Sequence, residues 1–184
     1  MPRHRKRPVR AIAALSFMLS LPPVQAAGGL SVAYGEGTNK TDASLRRIGL
    51  WWDWAWSRSA GGTMVNGYWE FDIGRWESDG VGPNQDEVLE VGFAPVLRFR
   101  RTASNGLRPF LDLGVGIQWL SDTEFGGKDI STSIQFSPRL GVGLEFGPQR
   151  RFELGYRLLH VSNASIATPN PGLDFHVLRL AYRF

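Results

Sequence analysis

Apolar and polar residues alternate with a period of two from about residue 30 to the end of the chain. One segment places Ile48, Leu50 and Trp52 on one face and Arg47 and Asp53 on the other. Successive side chains of a strand leave opposite faces, so this period predicts β-structure, and no segment keeps a helical period long enough to compete. The eight segments with this pattern are Leu30–Gly37, Arg47–Trp56, Val65–Ile73, Val88–Arg100, Phe110–Leu120, Ile134–Phe146, Arg151–Ser162 and Asp174–Phe184.

The less apolar face of the later segments is made of small and charged residues. Arg139, Glu145, Glu153, Arg157 and Arg179 all lie on it. A tilted transmembrane strand takes about 9–11 residues, and in an outer-membrane barrel the apolar face contacts lipid while the polar face fills the lumen. The pattern therefore predicts an all-β fold, an eight-stranded antiparallel transmembrane β-barrel. Its lumen charges, such as Arg139 with Glu145 and Glu153 with Arg157, are expected to form structural pairs. A soluble lipocalin-like barrel is the less favoured alternative.

The lengths of the connections predict how the barrel is oriented. Arg58–Gly62 and Gly147–Arg150 are short, and the connection containing Gly106 is moderate. The long connections are Trp76–Glu87, Ser121–Thr132 and Asn163–Leu173. Outer-membrane barrels have short periplasmic turns and long external loops, so the seventh strand is expected to end in the outer leaflet. The terminal residues Leu180, Tyr182 and Phe184 resemble the C-terminal insertion signature of such proteins.

The first 26 residues are expected to be a signal peptide, and residues 27–184 the barrel domain. A basic start is followed by an apolar run from Ala11 to Leu21 and by Val24-Gln25-Ala26, a small-residue cleavage site. The formal charge of +4 becomes −1 without this segment, which holds five basic residues and no acid. The charge therefore indicates no nucleic-acid partner. The chain has no cysteine, which excludes disulfides and thiolate metal sites.

Three residues near the end of the chain suggest an esterase. His160 and Ser162 are two residues apart and share a strand face, and Asp174 begins the next strand. A serine needs a base to remove its proton, and a carboxylate fixes the tautomer of an imidazole base. We therefore expect a catalytic hairpin over residues 151–184, with Ser162 as nucleophile, His160 as base and Asp174 as the orienting acid. Oxyanion donors are expected from Asn163, Asn170 and backbone N–H groups around Gly172. His176 is interpreted as an interfacial residue.

The sequence His160-Val161-Ser162-Asn163-Ala164, followed by Asn170-Pro171-Gly172, closely resembles the lipid A 3-O-deacylases of the PagL type. The resemblance implies an outer-membrane esterase that removes the 3-hydroxyacyl chain at position 3 of lipid A in lipopolysaccharide, without a metal or cofactor. It also implies that His160 and Ser162 are catalytic and that Asn170 is an oxyanion donor. The acid in this family is typically Glu, whereas this chain has Asp174.

Two other functions remain open from the residues alone. An outer-membrane phospholipase would use the same nucleophile on glycerophospholipid esters, and a small structural or adhesive barrel would bind a partner through its long loops. For the deacylase, Tyr156, Leu158, Leu178 and Leu180 are expected to form the acyl groove on the lipid-facing wall. The oligomeric state is left open, with a homodimer as one possibility.

Overall fold

The computed structural model describes residues 28–38, 42–78, 87–101 and 106–184. The signal segment expected over residues 1–26 lies outside these residues. Eight strands form the barrel: β1 (Gly28–Gly37), β2 (Ala43–Ala60), β3 (Thr63–Ser78), β4 (Glu87–Arg101), β5 (Arg108–Leu120), β6 (Ile134–Phe146), β7 (Phe152–Val161) and β8 (Leu173–Arg183).

Each strand pairs with its neighbours in the sequence, and β1 closes the barrel by pairing with β8. All pairings are antiparallel, which confirms the predicted eight-stranded antiparallel barrel. β2 and β3 are longer than predicted because the ladder continues past the apolar alternation to the turn at Gly61 and Gly62. A bulge between Asp53 and Ser57 interrupts their register.

Helical structure among the described residues is limited to one short 3-10 turn, Pro148–Arg150, between β6 and β7. No described helix is long and apolar enough to cross a membrane.

Charged side chains fill the lumen, as expected, but their partners differ from the expected ones. Buried Glu70 on β3 accepts hydrogen bonds from Arg139 at 2.8 Å and from Arg157 at 2.7 Å. Glu153 pairs instead with Arg98 at 2.8 Å. Pairing within a strand, as between Arg157 and Glu153, is wrong because four residues of strand separate their Cα atoms by about 13 Å. Arginines that reach across the narrow lumen meet acids on distant strands.

An apolar cluster fills the lumen at the end that holds the longer connections. Phe125 belongs to a short hairpin, Glu124–Phe125 paired with Lys128–Asp129, in the connection between β5 and β6. Its ring packs edge-on against Trp76 at 5.7 Å. The other buried members are Leu45, Val88, Leu120, Ile130, Leu159, Val161, Leu173, Phe175 and Val177. The charged network and this apolar cluster together fill the lumen. A candidate site for the chemistry therefore has to be sought on the outer wall.

Candidate active site on the outer wall

The predicted base and acid form a hydrogen-bonded pair on the outer face of the barrel. Asp174 and His160 are direct partners in the β7–β8 ladder, and His160 Nδ1 lies 2.6 Å from Asp174 Oδ1. The two side chains are 44% and 51% exposed. Because Nδ1 faces a carboxylate, the proton of neutral His160 is expected on Nδ1, which leaves the lone pair of Nε2 available to act as a base.

Ser162 lies one outward-facing position beyond His160. Its backbone extends the sheet by pairing with Phe136, with N–H to O distances of 3.0 and 2.7 Å. The flanking residues Val161 and Asn163 are buried, so alternation directs Ser162 to the wall that carries His160. Ser162 Oγ makes no hydrogen bond to His160 in the described structure. Such catalytic bonds are often loose without substrate and tighten when it binds.

Asn163 organises the loop between β7 and β8. Only 1% of it is exposed, and its side-chain amide donates to the carbonyl of Ala167 at 3.1 Å and to those of Ile130 and Pro169 at 3.4 Å. Its Oδ1 has no hydrogen-bond partner among the described residues. The side-chain donors of Asn163 are thus directed at loop carbonyls, which makes this residue a support for the site and a poor oxyanion donor.

The turn that Asn163 begins carries backbone strain. Ala164 and Ser165 adopt positive φ angles of 52° and 62°, and the Ile166 N–H donates to the Asn163 carbonyl at 3.1 Å. Residues other than glycine rarely adopt this conformation, and they do so where the surroundings fix it. The three contacts of the Asn163 amide provide that constraint, so the loop over the site is held in one shape.

Asn170 and Gly172 lie in the loop between β7 and β8 that leads to Asp174. Asn170 Oδ1 accepts the backbone N–H of Asn163 at 3.1 Å, while its Nδ2 makes no hydrogen bond within the described structure. Gly172 has a φ of +63°, and a Cβ added there would lie 3.0 Å from His160 Cε1. Asn170 therefore keeps an amide donor that no described residue accepts, and Gly172 leaves room for the imidazole ring.

Two further contacts that brace the site were missed in the sequence. Ser131 Oγ donates to the Pro169 carbonyl at 2.6 Å, which ties the β5–β6 connection to the loop over the site. The Thr38 N–H donates to the Asp174 carbonyl at 2.9 Å, which continues the β1–β8 ladder. Both join residues far apart in the sequence, and no local pattern identifies such partners.

An apolar groove runs from the His160–Asp174 pair around the outer wall to β4. Arg139 pairs with Leu159 and Phe136 with Ser162, so Pro138 lies beside His160. One lining row is Pro138, Val115 and Pro95, and the row next to it is Leu158, Leu140, Leu113 and Leu97. Asp174 lies four strand spacings from β4, so the groove is about 19 Å long. Trp54 lies at the far end of the groove.

The groove only partly matches the expected one. Leu158 lines it, as predicted, but Leu178 and Leu180 line a second groove together with Leu154, Val32 and Ile48. The reason is the direction of the strand neighbours. His160 lies on β7, and the first groove continues from it over β6 and β5. Leu178 and Leu180 lie on β8, on the opposite side of β7, and their groove continues over β1.

His176 faces outward, two residues below Asp174 on β8. It is hydrogen-bonded through Nδ1 to the hydroxyl of Tyr156, and the two rings stack with centroids 5.8 Å apart. Its interpretation as an interfacial residue stays a prediction, and its hydrogen bond to Tyr156 was not expected.

The comparisons with known proteins point to one family. The family model described as Lipid A 3-O-deacylase (PagL) matches residues 39–183. The chain is 30% identical to a lipid A deacylase PagL of Pseudomonas aeruginosa over 93% of this chain and 94% of that protein. It is 29% identical to one of Bordetella bronchiseptica, over 98% and 97% of the two chains.

A solved structure described as the outer membrane enzyme PagL superposes with a TM-score of 0.72 at 28% identity, covering 84% of this chain and 98% of that one. The sequence matches and the structural superposition therefore identify the same family. The chain belongs to the lipid A 3-O-deacylase (PagL) family, and it is an outer-membrane β-barrel hydrolase that acts on an ester bond.

Proposed function

We propose that this protein removes the 3-O-linked hydroxyacyl chain of lipid A with a Ser162–His160–Asp174 triad on its lipid-facing wall. Membership of the family supports lipid A deacylation. The observation that carries the triad is the 2.6 Å pair of His160 and Asp174, which stands half-exposed at the mouth of an apolar groove. Ser162 follows on the same face of the same strand.

In the first step, Ser162 Oγ attacks the ester carbonyl while His160 Nε2 takes its proton. Asp174 holds Nδ1–H and stabilises the imidazolium that forms. The tetrahedral intermediate places negative charge on the former carbonyl oxygen. The free Nδ2 group of Asn170 and the backbone N–H groups around Gly172 are the proposed donors to this oxygen, and each donor aimed at it is worth about 10²–10³ in rate.

Collapse of the intermediate breaks the bond between the carbonyl carbon and the sugar oxygen, and His160 gives its proton to that oxygen. The acyl chain is then held as an ester of Ser162. Water enters, His160 removes its proton, and a second tetrahedral intermediate releases the free hydroxy fatty acid and restores Ser162. Each bond formed in the first half is broken in the second, so the enzyme returns to its starting state.

The position on the outer wall suits a lipid substrate that diffuses in the membrane plane. Lipid A in the outer leaflet reaches the wall laterally, so its ester meets His160 without entering the lumen. The scissile acyl chain would lie in the groove over Leu158, Leu140 and Pro138. Apolar contact there excludes water from the ester and strengthens the hydrogen bonds to the oxyanion.

Mass spectrometry of lipid A tests the proposal. The full chain and its Ser162→Ala variant are expressed in an outer-membrane host whose lipid A carries a hydroxyacyl chain at position 3. We expect the wild type to remove one hydroxyacyl chain, which fragmentation assigns to position 3, and the variant to leave lipid A intact. Release of glycerophospholipid acyl chains instead would favour the phospholipase, and loss from another position would contradict the 3-O assignment.

The absence of a metal or cofactor and the oligomeric state both stay predictions. The triad chemistry uses no metal or cofactor, so activity in detergent micelles is expected to be unchanged by chelators. Whether the barrel functions as a monomer or a homodimer is testable by light scattering of the purified protein with its bound detergent subtracted.

A further inference from the structure

The apolar groove that begins at His160 ends at an indole ring on β2. Trp54 is the residue that β2 contributes to its lining. It faces outward because Asp53, the residue before it, points into the lumen and accepts hydrogen bonds from Asn66 and Arg183. The Trp54 ring packs edge-on against Trp69 of β3, with centroids 5.4 Å apart. Two tryptophan rings therefore stand at the far end of the groove.

A bulge in β2 places the Trp54 ring across the end of the groove. Residues 54–56 of β2 stand opposite the single residue Gly67 of β3. A Cβ added to Gly67 would lie 1.8 Å from Trp54 Cε3, so the indole fills the place of the side chain that Gly67 lacks. Gly67 pairs with Leu97 of β4, which is the last leucine of the lining row. The ring therefore closes that row.

The groove crosses the wall from the loop end of the barrel towards its turn end. His160 is the last residue but one of β7, next to the loop over the site. Gly67 is the fifth residue of β3 after the turn at Gly61 and Gly62. The strands of a barrel are tilted, so a row at right angles to them changes depth in the membrane. A chain whose ester lies at His160 can therefore follow the groove towards the middle of the bilayer.

The outward-facing wall between His160 and Trp54 is apolar throughout the described residues. Leucine, proline and valine side chains line the groove itself. The outward-facing rows on its two sides are apolar as well, Phe136, Ile117 and Phe93 towards the loops and Val142, Leu111 and Phe99 towards the turns. The groove therefore offers a hydrocarbon chain contact surface and no polar partner, so it can distinguish acyl chains by their length.

The length of the groove corresponds to a definite chain length. From His160 on β7 to Gly67 on β3 there are four strand spacings, about 19 Å. Bonds of about 1.52 Å at angles of about 111° advance an extended chain by about 1.25 Å each, so this distance holds about 15 carbons. A tetradecanoyl chain therefore ends at Trp54, whereas an octadecanoyl chain would run into the ring.

We infer that Trp54 is the end stop of the acyl groove and sets the upper length of the acyl chain that the enzyme removes. This rests on the proposed deacylase function. A chain that is too long has to bend off the wall before it reaches the ring, and it then loses contacts with the groove. A chain that is too short ends before Trp54 and does not contact it.

Lipid A analogues that differ only in the length of the position-3 chain test the inference. The purified full chain in detergent micelles is given the 3-hydroxydecanoyl, 3-hydroxytetradecanoyl or 3-hydroxyoctadecanoyl ester, and kcat/KM is measured for each. For the wild type we expect kcat/KM to fall about tenfold from the tetradecanoyl to the octadecanoyl ester. This is the low end of what a methylene in a hydrophobic pocket is worth, because the groove is open to lipid on one side.

Substitution of the ring should change the chain-length profile. Trp54→Ala is expected to remove the tenfold fall on the octadecanoyl ester and to leave kcat/KM for the decanoyl ester unchanged. Trp119→Ala is the matched control, because Trp119 is exposed on the wall at β5 and does not line the groove. This variant should keep the wild-type profile. The gel shift of the folded barrel on heating confirms that each variant is folded.

The outcomes separate this inference from the function on which it rests. A wild type that hydrolyses the tetradecanoyl and octadecanoyl esters equally well overturns the end stop, although the deacylase function stands. The same holds if Trp54→Ala keeps the wild-type ratio of the two kcat/KM values. An equal loss on all three esters in Trp54→Ala also overturns it, because general damage to the barrel would act that way. Hydrolysis of none of the three esters by the wild type, with cleavage of a glycerophospholipid, overturns the proposed function and the inference with it.

Discussion

Asp174 lies directly opposite His160 in the β7–β8 ladder, and its carboxylate oxygen is 2.6 Å from the imidazole Nδ1. This pairing explains how Asp174 can take the place of the longer Glu that the resemblance implied as the typical acid of the family. A residue in register with the histidine needs only a short side chain to reach it. The shorter acid therefore still makes the contact that the proposed mechanism requires.

Substitutions at Asp174 test its role as the orienting acid. Asp174→Asn preserves the shape but loses the charge that stabilises the imidazolium, and we expect the deacylation rate to fall by orders of magnitude, towards the 10⁴-fold or so known for the reference triad. Asp174→Glu keeps the charge and is expected to retain much of the activity. Initial rates in micelles measure both. Near-normal activity of Asp174→Asn together with an inactive His176→Ala would mean that the catalytic unit runs through His176 and that the acid role of Asp174 is wrong.

The nucleophile and the base are expected to fail as a unit. Ser162→Ala and His160→Ala should each abolish deacylation, and the double variant should be scarcely slower than either single one, because members of a catalytic unit are strongly non-additive. All three should still give a heat-modifiable barrel, since both side chains lie on the outer wall. Substantial activity in Ser162→Ala would exclude the serine mechanism.

Asn170 permits a test that separates holding the loop from binding the oxyanion. Asn170→Asp keeps an oxygen that accepts the Asn163 N–H but loses the Nδ2 donor, whereas Asn170→Ala loses both. We expect both variants to lower kcat by about 10²–10³, and only Asn170→Ala to increase hydrogen exchange in residues 163–172. Full activity of Asn170→Asp would mean that the side chain only supports the loop.

The barrel and the pairing of His160 with Asp174 were predictable from the sequence because both depend on strand period. Alternation alone assigns His160, Ser162 and Asp174 to one face, and antiparallel pairing brings the two strands together. The contact of the Asn163 amide with the Ile130 carbonyl was not predictable, because the two residues are 33 positions apart. Lumen pairs such as Arg157 with Glu70, 87 residues apart, depend in the same way on which strands face each other across the closed barrel.

The lumen network predicts a large effect on stability from a site remote from the chemistry. Glu70 is fully buried and accepts from Arg139 and Arg157. Glu70→Gln leaves buried arginines without their counter-charge, so the free energy of unfolding is expected to fall by about 3–5 kcal/mol. Urea titration in detergent measures this, with the exposed Glu36→Gln as control. A Glu70→Gln barrel as stable as the control would show that the arginines find other partners.

The orientation of the barrel decides whether the site can meet lipid A in the outer leaflet. The chain has no cysteine, so a single introduced thiol reports its own position. Ser165 lies exposed in the loop over the site and Ser59 lies exposed at the β2–β3 turn, which makes Ser165→Cys and Ser59→Cys a matched pair. Because the longer connections are expected outside, a membrane-impermeant maleimide on intact cells should label Ser165→Cys and not Ser59→Cys, while broken cells should label both. Labelling of Ser59→Cys alone on intact cells would place the triad at the periplasmic leaflet, where lateral access of lipid A to His160 would no longer explain the outward-facing site.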